Sequence, residues 1–138
     1  MKDYPIRYTP LPPVFNPLGD IYHILKSTDT SFSGFGEAYF SFLNPRAMKG
    51  WKKHTSMIMN LAVPVGNVKF VFYHQNTFIS HILSPCSYGL LTVQPNVWFA
   101  FQSLSDDQSV VLNVASIVHD PAESVTIPLS SLDFTWTH

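Results

Sequence analysis

The chain has 138 residues, enough for one domain with a real core, and it is 46% hydrophobic, 14% aromatic and only 12% charged, which excludes a disordered chain. A formal net charge of −1 with eight Lys and Arg residues argues against duplex nucleic acid, whose binding rests on phosphate neutralisation. The single cysteine, Cys86, excludes an intrachain disulfide and fits the reducing cytoplasm, while the lack of an apolar leader and of any run of 18 apolar residues gives no membrane reading.

In chain order, the prolines at 5, 10, 12, 13 and 17 make residues 1–17 an extended arm that packs on the body or on a partner subunit. A short helix is expected near residues 18–27, where Gly19 and Asp20 could start it. Residues 36–43 are aromatic-rich and closed by Asn44 and Pro45. Residues 57–63 lead into the turn Pro64-Val65-Gly66-Asn67, and residues 68–73 resume with high β propensity. Residues 75–80 read as strand or turn. Further strands are predicted at 88–93, 97–104, 109–116 and 124–129, separated by Gln94-Pro95-Asn96, by residues 105–108 and by His119-Asp120-Pro121. Short strands with regular turns predict an all-β sandwich or barrel in one domain, residues 18–138.

Chemistry concentrates in residues 49–60. Read as one strand, the segment puts Trp51, Lys53, Thr55, Met57 and Met59 on one face and Lys52, His54, Ser56, Ile58 and Asn60 on the other. So polar a face ahead of an apolar run is expected to line a ligand cavity, with His54 beside a lysine, a hydroxyl and an amide, a setting for a general base. A lone His on a strand is more often an edge or surface residue, and Lys49, Lys52 and Lys53 could be a solvated corner. No metal site is read: His54 has no His two residues on, and His74 and His81 match no ligand spacing. Cys86 has no base near it in sequence. Trp98, or Phe99 and Phe101 on the opposite face, could stack on a nucleobase or sugar. Asn113 interrupts an apolar run and is expected to face the cavity.

Ordered blocks then carry a resemblance. Residues 19–26, 34–41 and 49–54, followed by 60–66, 98–101 and 119–123, resemble the short proteins related to dTDP-4-dehydrorhamnose 3,5-epimerase over nearly the whole chain. The resemblance implies a cupin-type double-stranded β-helix, or jelly-roll barrel, a homodimer, and a nucleotide-linked 4-keto-6-deoxy sugar as ligand, with no metal or other cofactor. It implies that His54 is the base and that Lys52 replaces the family's Arg. Lys49, Lys53, Ser56, Asn60, Trp98, Asn113 and Glu37 complete the expected site. Counting from Leu104 and Ser105 puts Leu112 where the family has its acid Tyr, and Met59 falls where it has a Lys. The family's His-orienting Asp lies beyond the final Trp, so its loss, or replacement by Glu37 or Asp20, is implied. Two functions follow: an epimerase or isomerase of a dTDP-sugar in polysaccharide or lipopolysaccharide sugar biosynthesis, or a degenerate cupin that binds a sugar nucleotide or a partner enzyme without turnover.

Overall fold

The computed structural model describes residues 5–136; the outermost parts of the expected arm and barrel, residues 1–4 and 137–138, lie outside them. Ten strands are present among the described residues: β1 (Ile6–Pro10), β2 (Glu37–Leu43), β3 (Met48–His54), β4 (Met59–Val65), β5 (Val68–His74), β6 (Thr77–Leu83), β7 (Gly89–Val93), β8 (Trp98–Ser103), β9 (Ser109–Ala115) and β10 (Ser124–Thr126). They form two five-stranded antiparallel sheets, β1-β7-β4-β9-β2 and β10-β3-β8-β5-β6. This is the cupin-type jelly roll that the resemblance implied.

Local chemistry explains the element boundaries. The β5–β6 hairpin closes through Gln75 and Asn76, both at positive φ (48° and 60°), the twist that a two-residue hairpin turn needs. This resolves residues 75–80 into a turn and the start of β6. No helix forms at residues 18–27, contrary to expectation. The carboxylate of Asp20 accepts from the amide of Asn16, and Asp29 accepts from that of Lys26, so these side chains close turns rather than cap a helix. The proline-rich start contributes β1, which pairs with β7 from Ile6↔Val93 to Pro10↔Gly89.

Between the sheets, one side is filled. Val68, Phe70 and Phe72 of β5 and Leu83 of β6 pack against Leu91 and Val93 of β7 and Met59, Leu61 and Val63 of β4. On the outer face of the second sheet, residues 127–136 cover the fully buried Trp51, whose indole N–H donates to the Leu129 carbonyl at 3.1 Å. Leu11, Tyr22, Ile24 and Leu25 cover Ala62, Tyr88 and Leu90 on the first sheet. The other side of the interior stays open, and there Tyr39 and Ser41 of β2, Lys49, Lys52 and His54 of β3, and Asn113 of β9 bring polar side chains to the wall.

Candidate active site

That open side is a cavity of about 290 Å³, near the lower end of small-ligand pockets. Its walls come from both sheets. Tyr39 and Ser41 of β2, Met59 and Leu61 of β4, and Val111 and Asn113 of β9 face Lys49, Lys52 and His54 of β3, Phe99 and Phe101 of β8, and Thr126 of β10.

The β3 residues reach the cavity through a bulge. Lys49 pairs with Phe101 and Lys52 with Phe99, so Gly50 and Trp51 together oppose Ala100 alone. Residues three apart in a regular strand point to opposite sides. The extra residue resets the alternation, and Lys49, Lys52 and His54 all line the cavity while Trp51 turns outward into its aromatic cluster. Gly50 is required here: its φ is +144°, and a Cβ would collide with Ala100.

His54 is buried, at 4% exposure, and its ring stacks on Phe99 with centroids 5.7 Å apart and planes 15° from parallel. Its Nδ1 is bonded to Oε1 of Glu123. Glu123 is placed by a single 3-10 turn, Pro121–Glu123, whose start is capped by Asp120 accepting from the Ala122 amide. Oε2 of Glu123 accepts from the backbone amides of Ser56 (3.0 Å) and Met57 (3.1 Å). The Glu123 carbonyl accepts from the amide and hydroxyl of Thr55, both at 2.7 Å. Burial pushes the Glu123 carboxyl up, but the hydrogen bonds from His54, Ser56 and Met57 and the charge of His54 outweigh it, and the group is held below its ordinary value. An ionised Glu123 accepts only, so Nδ1 of His54 donates to it, and the neutral form of the ring has its lone pair on Nε2. The cavity wall thus holds an oriented imidazole with two ammonium groups on its own strand, Lys52 half-buried and Lys49 exposed. Among the described residues, no carboxylate lines it. Such a wall suits removal of a proton from a carbon acid, with cations for the oxyanion that develops.

Neither a family model nor a curated protein matches the chain. Solved structures do. A dTDP sugar isomerase from Desulfovibrio desulfuricans G20 is 32% identical, with a TM-score of 0.90 over 95% of this chain and 90% of that one. The chain belongs to the dTDP-sugar isomerase family. The sugar 3,4-ketoisomerase QdtA from Thermoanaerobacterium thermosaccharolyticum, in complex with TDP, shares the fold at 20% identity and a TM-score of 0.77, covering 88% of each chain. So does ChmJ, a 3′-monoepimerase from Streptomyces bikiniensis in complex with dTDP-quinovose, at 12% identity and a TM-score of 0.84 over 96% of this chain and 75% of that one.

In this isomerase-family chain, the structure gathers His54, Lys52, Lys49 and Asn113 at the cavity and leaves the other expected residues elsewhere. The reading of residues 49–60 as one strand is corrected: the chain turns at residues 55–58 and crosses between sheets, so alternation does not carry through. Ser56 is exposed and serves through its backbone amide. Asn60 is buried on the far side of β4, donating to the Ser31 carbonyl at 3.1 Å and accepting from Thr92. Lys53 and Trp98 sit together on the outer side of the second sheet, with the ammonium 4.8 Å from the ring centroid. Glu37 starts β2 and accepts from the His119 amide. The acid that orients His54 is Glu123, not Glu37 or Asp20. Leu112 points away from the cavity, whose β9 positions are Val111 and Asn113. Sequence reasoning missed Glu123 and Tyr39. The signal for Glu123 was in the block of residues 119–123, where a turn-forming Asp-Pro delivers an acid two residues later. Among the described residues, no group of three or more His, Cys, Asp and Glu side chains gathers as a metal site, and no helix is long and apolar enough to cross a membrane.

Proposed function

We propose that this protein isomerises or epimerises a dTDP-linked 4-keto-6-deoxy sugar, with His54 as the base that removes the proton beside the ketone. The observation that carries this reading is the Glu123-held imidazole in the wall of a cavity that two lysines flank. Lys52, two residues from His54 on the same face, stabilises the enolate oxygen. Lys49, exposed at the rim, is the cation available to the diphosphate. The apolar walls of Met59, Leu61, Phe99, Phe101 and Val111 take the deoxy face of the sugar. The family membership and a neighbour crystallised with TDP support a nucleotide-sugar ligand, and the product would serve polysaccharide assembly. The binding-only alternative was motivated in part by a missing orienting acid, and Glu123 removes that motive.

Incubation with dTDP-4-keto-6-deoxyglucose in deuterium oxide tests the reading. The expected result is deuterium at the carbon beside the ketone, with a rate roughly 10²–10⁴-fold lower in His54→Ala. Absence of exchange with any keto sugar nucleotide would refute the proposal. We also propose a homodimer through β2, an edge strand whose outer face exposes Phe40 and Phe42 (58% and 60%) and whose only charge is Glu37. An unblunted apolar edge of this kind pairs readily with a second copy. Light scattering should give the dimer mass for the wild type and a monomer mass for Phe42→Lys.

A further inference from the structure

Phe99 joins His54 to the apolar interior. It is an inward residue of β8, paired with Lys52 of β3 on one side and with Phe72 of β5 on the other, and it is buried at 6% exposure. Its ring lies flat against the His54 imidazole. Phe101 lies flat against Phe99 in turn, with centroids 6.3 Å apart and planes 9° from parallel, and Phe70 backs Phe101 at 5.8 Å. His54, Phe99 and Phe101 thus form a row of near-parallel rings, and all three line the cavity. The Glu123 hydrogen bond fixes where Nδ1 points but tolerates a broad tilt of the ring plane. Flat contact with a ring that is itself wedged by Phe101 narrows that tilt and so aims Nε2. The row also bears on charge. When His54 takes a proton it becomes a buried imidazolium on a wall where Lys49 and Lys52 already carry positive charge. Glu123 meets that charge at the ring edge. Phe99 meets it across the ring face, within the roughly 6 Å over which an aromatic quadrupole attracts a cation.

We infer that Phe99 is a positioning residue for the proton transfer: it holds the imidazole plane and, through its π face, stabilises the imidazolium as the carbon-bound proton moves to Nε2. The inference rests on the keto-sugar reading above. In that step Nε2 gains the proton, the C–H electron pair becomes the C=C bond, and the ketone π pair moves onto its oxygen as an enolate. The imidazolium then gives its proton to the enolate or to solvent, so no oxidant, reductant or co-reactant is needed. A neutral imidazole gains less from the π face than an imidazolium does. The contact therefore strengthens as the reaction proceeds, and it lowers the barrier rather than only tightening the resting state.

Fluorinated phenylalanines separate charge from shape, because each fluorine drains the π face while the ring stays close to its original size. Deuterium uptake into dTDP-4-keto-6-deoxyglucose is measured in deuterium oxide for the wild type and for proteins carrying mono-, tri- and pentafluorophenylalanine in place of Phe99. Uptake is expected to fall stepwise, to roughly 5- to 30-fold below wild type at the pentafluoro ring. Phe99→Leu, which removes the ring, is expected to lose at least as much. The same fluorinated series in place of Phe72, which pairs with Phe99 but packs in the core outside the cavity lining, is expected to leave uptake unchanged. Uptake that does not follow the number of fluorines in place of Phe99, an equal fall in the Phe72 series, or full activity in Phe99→Leu overturns the inference. Absence of uptake with the wild-type protein overturns the keto-sugar reading itself, and this inference with it.

Discussion

Glu123 does three jobs at the scale of one side chain. It fixes the tautomer of His54, supplies the counter-charge for the imidazolium, and holds the 55–57 turn through two amide hydrogen bonds. Glu123→Gln keeps the size but removes the charge, and its amide group can present a donor where Nδ1 also needs an acceptor. The turnover number is expected to fall at least 10²-fold, with little change in KM, since Glu123 does not line the cavity; steady-state kinetics with a thermal melt as folding control would check it. His54 was legible in the sequence because it stood in a polar run beside lysines and matched a family position. Glu123 was not, because it lies 69 residues from His54 and nothing in a linear pattern pairs residues that far apart. Tyr39 was hidden for a different reason. On an aromatic-rich strand its spacing looks like that of Phe40 and Phe42, and only the sheet position shows that it faces inward.

At the scale of elements, most strands were readable from β propensity and turn residues, while alternation was readable only where the strand ran unbroken. The inward face of Lys52 and His54 follows from period-two spacing, as expected. Lys49 reaches the same cavity only through the Gly50 bulge, and Ser56 and Asn60 leave it because the chain turns after His54. A bulge and a crossing between sheets are both invisible to a count of every second residue. The bulge is also the point at which sequence most tightly constrains the site. Gly50→Ala would force a non-glycine residue to φ +144° against Ala100, and a loss of about 2–5 kcal/mol is expected, read as a lower urea midpoint. Because relief of the strain would restore regular alternation, Lys49 should swing off the cavity, and the surviving folded protein should bind dTDP more weakly.

Across the whole molecule, segments from both ends of the chain close over the sheets, and the 3-10 turn carrying Glu123 leads directly into β10 and the covering segment 127–136. The carboxylate that positions His54 is therefore also a tie between that segment and the 55–57 turn, and the fold should feel its titration. Glu123 has a carboxyl held below its ordinary value of 4.5 in the folded protein. A group depressed in this way binds its proton more readily in the unfolded chain, so its contribution to stability is fully present above about pH 4.5 and disappears as pH falls through the lowered folded value. Other acids titrate in the same window, which makes the wild-type curve alone uninformative. The difference between wild type and Glu123→Gln isolates Glu123 together with the His54 ring it is bonded to. Urea midpoints measured at pH 6.5, 4.5 and 3 are expected to show the largest gap at pH 6.5 and a progressively smaller one toward pH 3. A gap that stays constant with pH would mean that Glu123 stabilises the fold through its shape and hydrogen bonds alone, and that its charge acts only on His54.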